Sequence, residues 1–157
     1  MGLRSGRARN QATLFQNDEY TRLLNQLLLL ELGTVDLYRR CQQYLVDCGV
    51  DTHGDRHRLA AQTLVNLIVA NRGIPNREGT ALPAEISILA FRVCHHFSDR
   101  VATQTARRIC LTMEKLLRRR YHAAINQAPL RDRGYLKHLI HLTKIHIDQL
   151  EAERSLM

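Results

Sequence analysis

The chain has 157 residues, of which 45% are hydrophobic and 24% charged, enough to build one core without disulfides or a structural metal and too apolar for disorder. The longest apolar runs, such as Leu27 to Leu30, stop well short of the ~18 residues a bilayer span needs, and the first residues lack the apolar centre of a secretory signal. A cytoplasmic protein without a membrane partner is expected, and any metal it holds would be functional. The four cysteines, Cys41, Cys48, Cys94 and Cys110, form no CxxC pair and read as reduced thiols in a helical core.

Residues 1–16 carry Arg4, Arg7 and Arg9 on a polar stretch and read as a basic flexible arm, with the folded domain over 17–157. From Asp18 to Cys48, Leu23, Leu24, Leu27, Leu28, Val35, Leu37, Tyr38 and Leu45 recur at three- and four-residue steps. That spacing predicts one long amphipathic helix, capped by Asn17 or Asp18 and ended by Gly49. The segment Asp51 to Gly54 reads as a turn, and a second helix is expected from about Asp55 to Asn71, with Leu59, Leu64, Leu67 and Ile68 on its apolar stripe. Gly73 and Pro75 stop it. Residues 84–97 have the spacing of a shorter helix, and Ser98 reads as the cap of another that continues to about Gln127. Pro129 and Gly134 mark a tight link before a last helix, from Leu130 or Tyr135 to Glu153.

Short links between the first two and the last two long helices make antiparallel hairpins, and the long stretch between them leaves room for a crossover. The expected architecture is all-α: an up-down-down-up four-helix bundle whose crossover contains an extra short helix. The alternative is a five-helix array with residues 84–97 as a full member.

Glu31 is the most informative residue, because it interrupts a run of leucines where the helix is apolar almost all round. A carboxylate there must meet a cation, a metal or a hydrogen-bond donor, or else stay protonated, since burying it unpaired costs several kcal/mol or more. Tyr38, seven residues on, lies on the same face. Glu114 and Tyr121 repeat the pair on a later helix. His138 and His141 sit about 80° and 140° from His146 on the last helix, so the three do not face one ion. His53 and His57 are four apart, but the intervening Gly54 argues for a loop and against a two-histidine site. Arg118, Arg119 and Arg120 read as a solvated rim, and Cys110 as a small buried hydrophobe.

The stretch Glu31-Leu-Gly-Thr-Val-Asp-Leu-Tyr38, the helix end Gly73-Ile-Pro-Asn76, the run Glu114 to Ile125 and His146-Ile-Asp-Gln-Leu-Glu151 together resemble the ferritin-like superfamily, bacterioferritins in particular, over about Tyr20 to Glu153. The resemblance implies a carboxylate-bridged di-iron site, with a Glu from each of two helices and a Glu-x-x-His from each of the other two. Glu31, Glu114 and His146 match three of those positions. The second-helix glutamate position falls on His57, its histidine position on Ala60, and the fourth-helix glutamate position on Thr143, so both bridging carboxylates are lost. Arg58 stands where a haem-ligating methionine would be, which implies no haem.

What survives is a set for at most one Fe, Mn or Zn ion, namely Glu31, His57, Glu114 and His146, with Tyr38 and Tyr121 beside them. Such a protein would serve in metal handling or stress response, with weak or no ferroxidase activity, because one iron supplies one electron. Two other readings stand beside it. A decayed site would leave an interaction module, a homo-oligomer of at least two chains or a binder of another protein, through Leu29, Leu32, Cys41 and Val65. An arm of Arg4, Arg7 and Arg9 would contact nucleic acid as in miniferritins, with a salt slope of roughly −2.7 for three phosphates.

Overall fold

The computed structural model describes residues 4–45, 51–78 and 99–152, and side chains within 18–45, 52–78 and 100–152. These segments are helical, with no strand among the described residues: α1 (Arg4–Cys41), a 3-10 turn (Gln42–Tyr44), α2 (Asp51–Ala70), α3 (Asp99–Gln127) and α4 (Leu130–Ala152). The short helix expected over 84–97, its neighbour Ser98, and Cys48, Gly49 and Cys94 lie outside the described residues.

Several boundaries differ from expectation. Helix α1 begins at Arg4, ahead of the caps expected at Asn17 or Asp18, so Arg4, Arg7 and Arg9 belong to its first turns. It also ends early, at Cys41, where the chain tightens into the 3-10 turn closed by Leu45 N–H on Gln42 O at 3.1 Å, a common helix ending. Asp51 to Gly54 is not a turn but the start of α2. Gly134 lies inside α4, which starts at Leu130 directly after Pro129.

Leu24, Leu27, Leu28 and Leu37 of α1, Leu64 and Ile68 of α2, Met113, Leu117 and Ala124 of α3, and Leu136 and Leu150 of α4 form a continuous core. Each stripe follows helical periodicity, which gathers apolar side chains along one face. Leu59 is the exception, since it is 69% exposed. Its direction lies about 140° from that of Leu64, five residues on, so it cannot join the stripe that Leu64, Leu67 and Ile68 bury. Of the four residues singled out for an apolar contact face, one is fully buried and three are half-buried. Cys41 is fully buried, Leu32 and Val65 pack against the core, and Leu29 is half-buried. Cys41 and Cys110 are buried in the core as reduced thiols, as expected.

Helix α1 packs on α2 and α3, α3 packs on α4, and α2 also meets α4. Hydrogen bonds at both ends fix the directions. His57 meets Glu31 while Asn25 meets Ile74 and Asn76, so α2 runs antiparallel to α1. Tyr38 meets Glu114 and Tyr121 meets Glu31, so α3 is also antiparallel to α1. Glu114 meets His146 and Asn71 meets Asp132, which sets α4 antiparallel to α3 and α2. Four packed helices with these directions are compatible with a four-helix bundle.

The end of α2 depends on a close approach. Gly73 N–H bonds Ile68 O at 2.9 Å and Arg72 N–H bonds Val69 O at 2.9 Å, with Arg72 at φ 61°. This is a Schellman ending with a non-glycine residue in the left-handed position. A Cβ on Gly73 would stand 2.3 Å from Thr21 Cγ2, so only glycine lets the chain turn this close to α1. We expect Arg72→Gly to raise the melting temperature by the equivalent of about 1 kcal/mol by relieving the left-handed backbone. Gly73→Ala should lower it by about 1–3 kcal/mol through overpacking. Calorimetry of both variants checks the two opposite signs.

Candidate metal centre

Six polar side chains from four helices converge inside the apolar core. Glu31, His57, Glu114 and His146, the four residues singled out as a ligand set, are each 2% exposed or less, and Tyr38 and Tyr121 are buried beside them. Helical spacing puts Glu31 and Tyr38 on one stripe of α1, and Glu114 and Tyr121 on one stripe of α3. Because α1 and α3 are antiparallel, the two pairs cross: Tyr38 Oη donates to Glu114 Oε1 at 2.9 Å, and Tyr121 Oη donates to Glu31 Oε1.

His57 lies between the two carboxylates. Its Nδ1 is 2.5 Å from Glu31 Oε2 and its Nε2 is 2.9 Å from Glu114 Oε1. With an acceptor on each nitrogen, both must carry hydrogen, which makes the ring an imidazolium. Burial pulls the His57 pKa down, but the Glu31 and Glu114 carboxylates outweigh it and hold it at about 10. Burial likewise pushes Glu114 up, yet hydrogen bonds from His146 and His57 bring it down to about 2. Burial first, then the adjacent carboxylates, raise both tyrosine hydroxyls well above 10, so they remain donors.

His146 is the third donor to Glu114, with Nδ1 2.9 Å from Oε1. A hydrogen on Nδ1 leaves the lone pair on Nε2. A seventh polar residue joins the cluster: His53, which the loop signal of Gly54 in the sequence argues against. The structure places His53 and Gly54 in the first turn of α2, where His53 is buried and stacked on His146 with ring centroids 4.1 Å apart. Its Nε2 is 2.9 Å from Gln149 Oε1. A hydrogen on Nε2 leaves the lone pair on Nδ1. Burial, with His146 beside it, lowers the His53 pKa to about 4, so the ring is neutral. The one available signal for His53 was its four-residue spacing from His57.

Ligand atoms of His53, Glu114 and His146 all lie within 4.8 Å of one another. These three residues also carry buried polar atoms that have no hydrogen-bond partner: His53 Nδ1, Glu114 Oε2 and His146 Nε2. By contrast, both oxygens of Glu31 and both nitrogens of His57 are taken up by hydrogen bonds. A cavity of about 10 Å³, the size of one water, adjoins the cluster and is lined by Glu31, His57, Ala60, Thr143 and His146 among others. Thr143 turns its hydroxyl back onto Ile140 O at 2.9 Å.

The remaining polar residues weighed from the sequence lie apart from this cluster. His138, His141, Arg119 and Arg120 are exposed and Arg118 is half-buried, while His95 and His96 lie outside the described residues. Fold and site together define an all-helical protein with a buried histidine–carboxylate cluster able to hold one metal ion. No family model, curated protein or solved structure matches the chain.

His57→Ala should destabilise the fold by about 3–5 kcal/mol, because it leaves two buried carboxylates facing each other without a cation. Adding Glu31→Gln should restore part of that loss, and denaturant melts of the single and double variants check both. Gly54→Ala tests the early start of α2. A Cβ there meets nothing within 4 Å, so we expect a gain of roughly 0.5–1 kcal/mol from helix propensity, whereas a turn that needed glycine would lose stability.

Proposed function

We propose that this chain is a ferritin-like bundle protein that holds a single transition-metal ion and serves in metal handling or stress response. The observation that supports the reading best is the coincidence at His53, Glu114 and His146. The three residues close enough to share an ion also carry three lone-pair-bearing atoms that no protein group satisfies. Buried polar atoms in folded proteins are nearly always paired, and a cation is the partner this donor set suits. Two neutral imidazoles with one carboxylate form a ligand class used for zinc and for non-haem ferrous iron. Gln149 on His53 is an outer hydrogen bond of the kind that fixes an imidazole tautomer around a metal.

In this reading Glu31 and His57 support the site and do not ligate. The imidazolium of His57 supplies the positive charge between two carboxylates where the ferritin-like resemblance expects a bridging glutamate and a second ion. Ala60 and Thr143, at two further altered positions, border the small cavity. Weak or absent ferroxidase activity follows from a one-ion site. The up-down-down-up topology and a crossover through residues 79–98 belong to the same proposal and are supported by the helix directions.

Equilibrium dialysis against zinc, manganese or ferrous iron, the last without oxygen, tests the reading. One ion per chain is expected, with Kd weakened at least tenfold in His53→Ala and in His146→Ala. Ion at 100 times Kd should raise unfolding free energy by about 2.7 kcal/mol. No bound ion and no thermal shift with any of the three metals would leave the cluster as a metal-free polar core and overturn the proposal.

A further inference from the structure

The net charge of +8 is distributed unevenly. Between residues 18 and 78 there are seven arginines and eight acids, whereas between residues 100 and 152 there are eleven Arg and Lys and four acids. Two of those four, Glu114 and Asp132, are buried. On α1 and α2 the exposed charges neutralise one another locally: Arg22 pairs with Glu19, Arg39 and Arg40 with Asp36, and Arg58 with Asp55. On α4, Arg131 lies 3.5 Å from Asp132, and α3 carries one acid between residues 100 and 127, the buried Glu114.

The excess on α3 and α4 is aligned. Arg108, Lys115 and Arg119 are exposed and fall within about 40° of one another around α3; Arg133, Lys137 and Lys144, also exposed, do the same around α4. Lys115 Nζ meets Glu151 Oε1 at 2.6 Å. Glu151 lies on the stripe of Lys144, so this ion pair turns the two stripes toward each other. Because the helices are antiparallel, the α3 cations occupy one half of the face and the α4 cations the other. With Lys115 level with Glu151, the strip runs Arg108, Lys115, Arg119, Lys144, Lys137, Arg133 over about 38 Å, from the rise of 1.5 Å per residue. Glu151 and Asp148 beside Lys115 reduce its net charge to about four.

We propose that this α3–α4 face binds the phosphate backbone of nucleic acid. A straight strip of one sign matches a linear array of phosphates, and its length is close to one turn of a duplex. A lipid surface fits it less well. Of the exposed apolar residues, Leu59, Val69 and Ile74 lie on or just after α2, Val101 and Leu130 lie beyond the two ends of the strip, and Tyr135 points about 200° away from Lys137 around α4, so the centre of the strip carries no apolar residue to insert. Phosphate contacts position a protein without reading sequence, so the expected binding is sequence-independent. The inference does not depend on the metal centre.

Fluorescence anisotropy of the full chain with a labelled random 24-base-pair duplex tests it. Four neutralised phosphates predict a slope of log K against log salt of about −3.6, which weakens binding roughly 150-fold between 50 and 200 mM. The double variant Arg119→Glu/Lys137→Glu should abolish that binding at 50 mM salt. Arg22→Glu/Arg58→Glu changes net charge by the same amount on α1 and α2 and should bind within about twofold of the parent. All four sites are exposed, so melting temperatures should confirm folded variants. Equal losses in the two double variants would assign the effect to overall charge or to the arginines of residues 4–9. That result would overturn the proposal, as would no duplex binding at 50 mM salt or tighter binding to phosphatidylserine vesicles than to duplex.

Discussion

The carboxylate of Glu114 is the point on which the interior of this protein depends. It is buried in the core of four helices, where an unpaired charge is untenable, and its Oε1 accepts hydrogen bonds from Tyr38, His57 and His146. Each donor comes from a different helix. Satisfying one acidic group therefore sets the relative height of α1, α2 and α4 against α3, and Glu31, held by His57 and Tyr121, repeats the arrangement one layer away. Apolar packing brings helices together without strong preference for register, whereas hydrogen bonds of this length accept little sliding.

The cluster divides into a closed half and an open half. In the closed half, every polar side-chain atom of Glu31, His57 and both tyrosines is hydrogen-bonded, to one another or to Glu114 Oε1. In the open half, His53 Nδ1, His146 Nε2 and the second oxygen of Glu114 are buried with no hydrogen-bond partner among the described residues, and the three residues have ligand atoms within 4.8 Å of one another. This division turns a buried polar network into a candidate binding site. Had His57 been a carboxylate, the closed half would have carried excess negative charge and required another cation. The imidazolium removes that requirement and confines the demand for a metal to one side.

Charge on the outside follows a different logic from charge within. The acids and arginines of α1 and α2 sit three or four residues apart and pair along their own helix, a local arrangement visible in one dimension. The cations of α3 and α4 have few acids within the same reach, so their charge adds along a face that exists only when the two helices lie side by side.

Much of the fold and part of the site could be read without coordinates. The apolar stripes of all four long helices were legible because periodicity is a local property, and Glu31 was conspicuous because a carboxylate among leucines is anomalous in any folded context. Tyr38, Glu114 and Tyr121 followed from helical spacing, whereas His57 and His146 followed from the ferritin-like resemblance. Helix ends were less legible. Gly54 was read as a break, although tertiary packing of His53 and His57 holds α2 helical through it, and Leu59 was assigned to a stripe it cannot reach. The amino-acid sequence by itself determined that the chain is helical, that two helices each carry an acid and a tyrosine on one stripe, and that the net charge is positive. Only the tertiary structure decided which atoms of those residues pair and which remain open. Tautomer, ring stacking and helix height depend on groups far apart in the chain, and no local pattern specifies them. His53 entered the cluster in this way, through its stacking on a histidine 93 positions later and its hydrogen bond to Gln149.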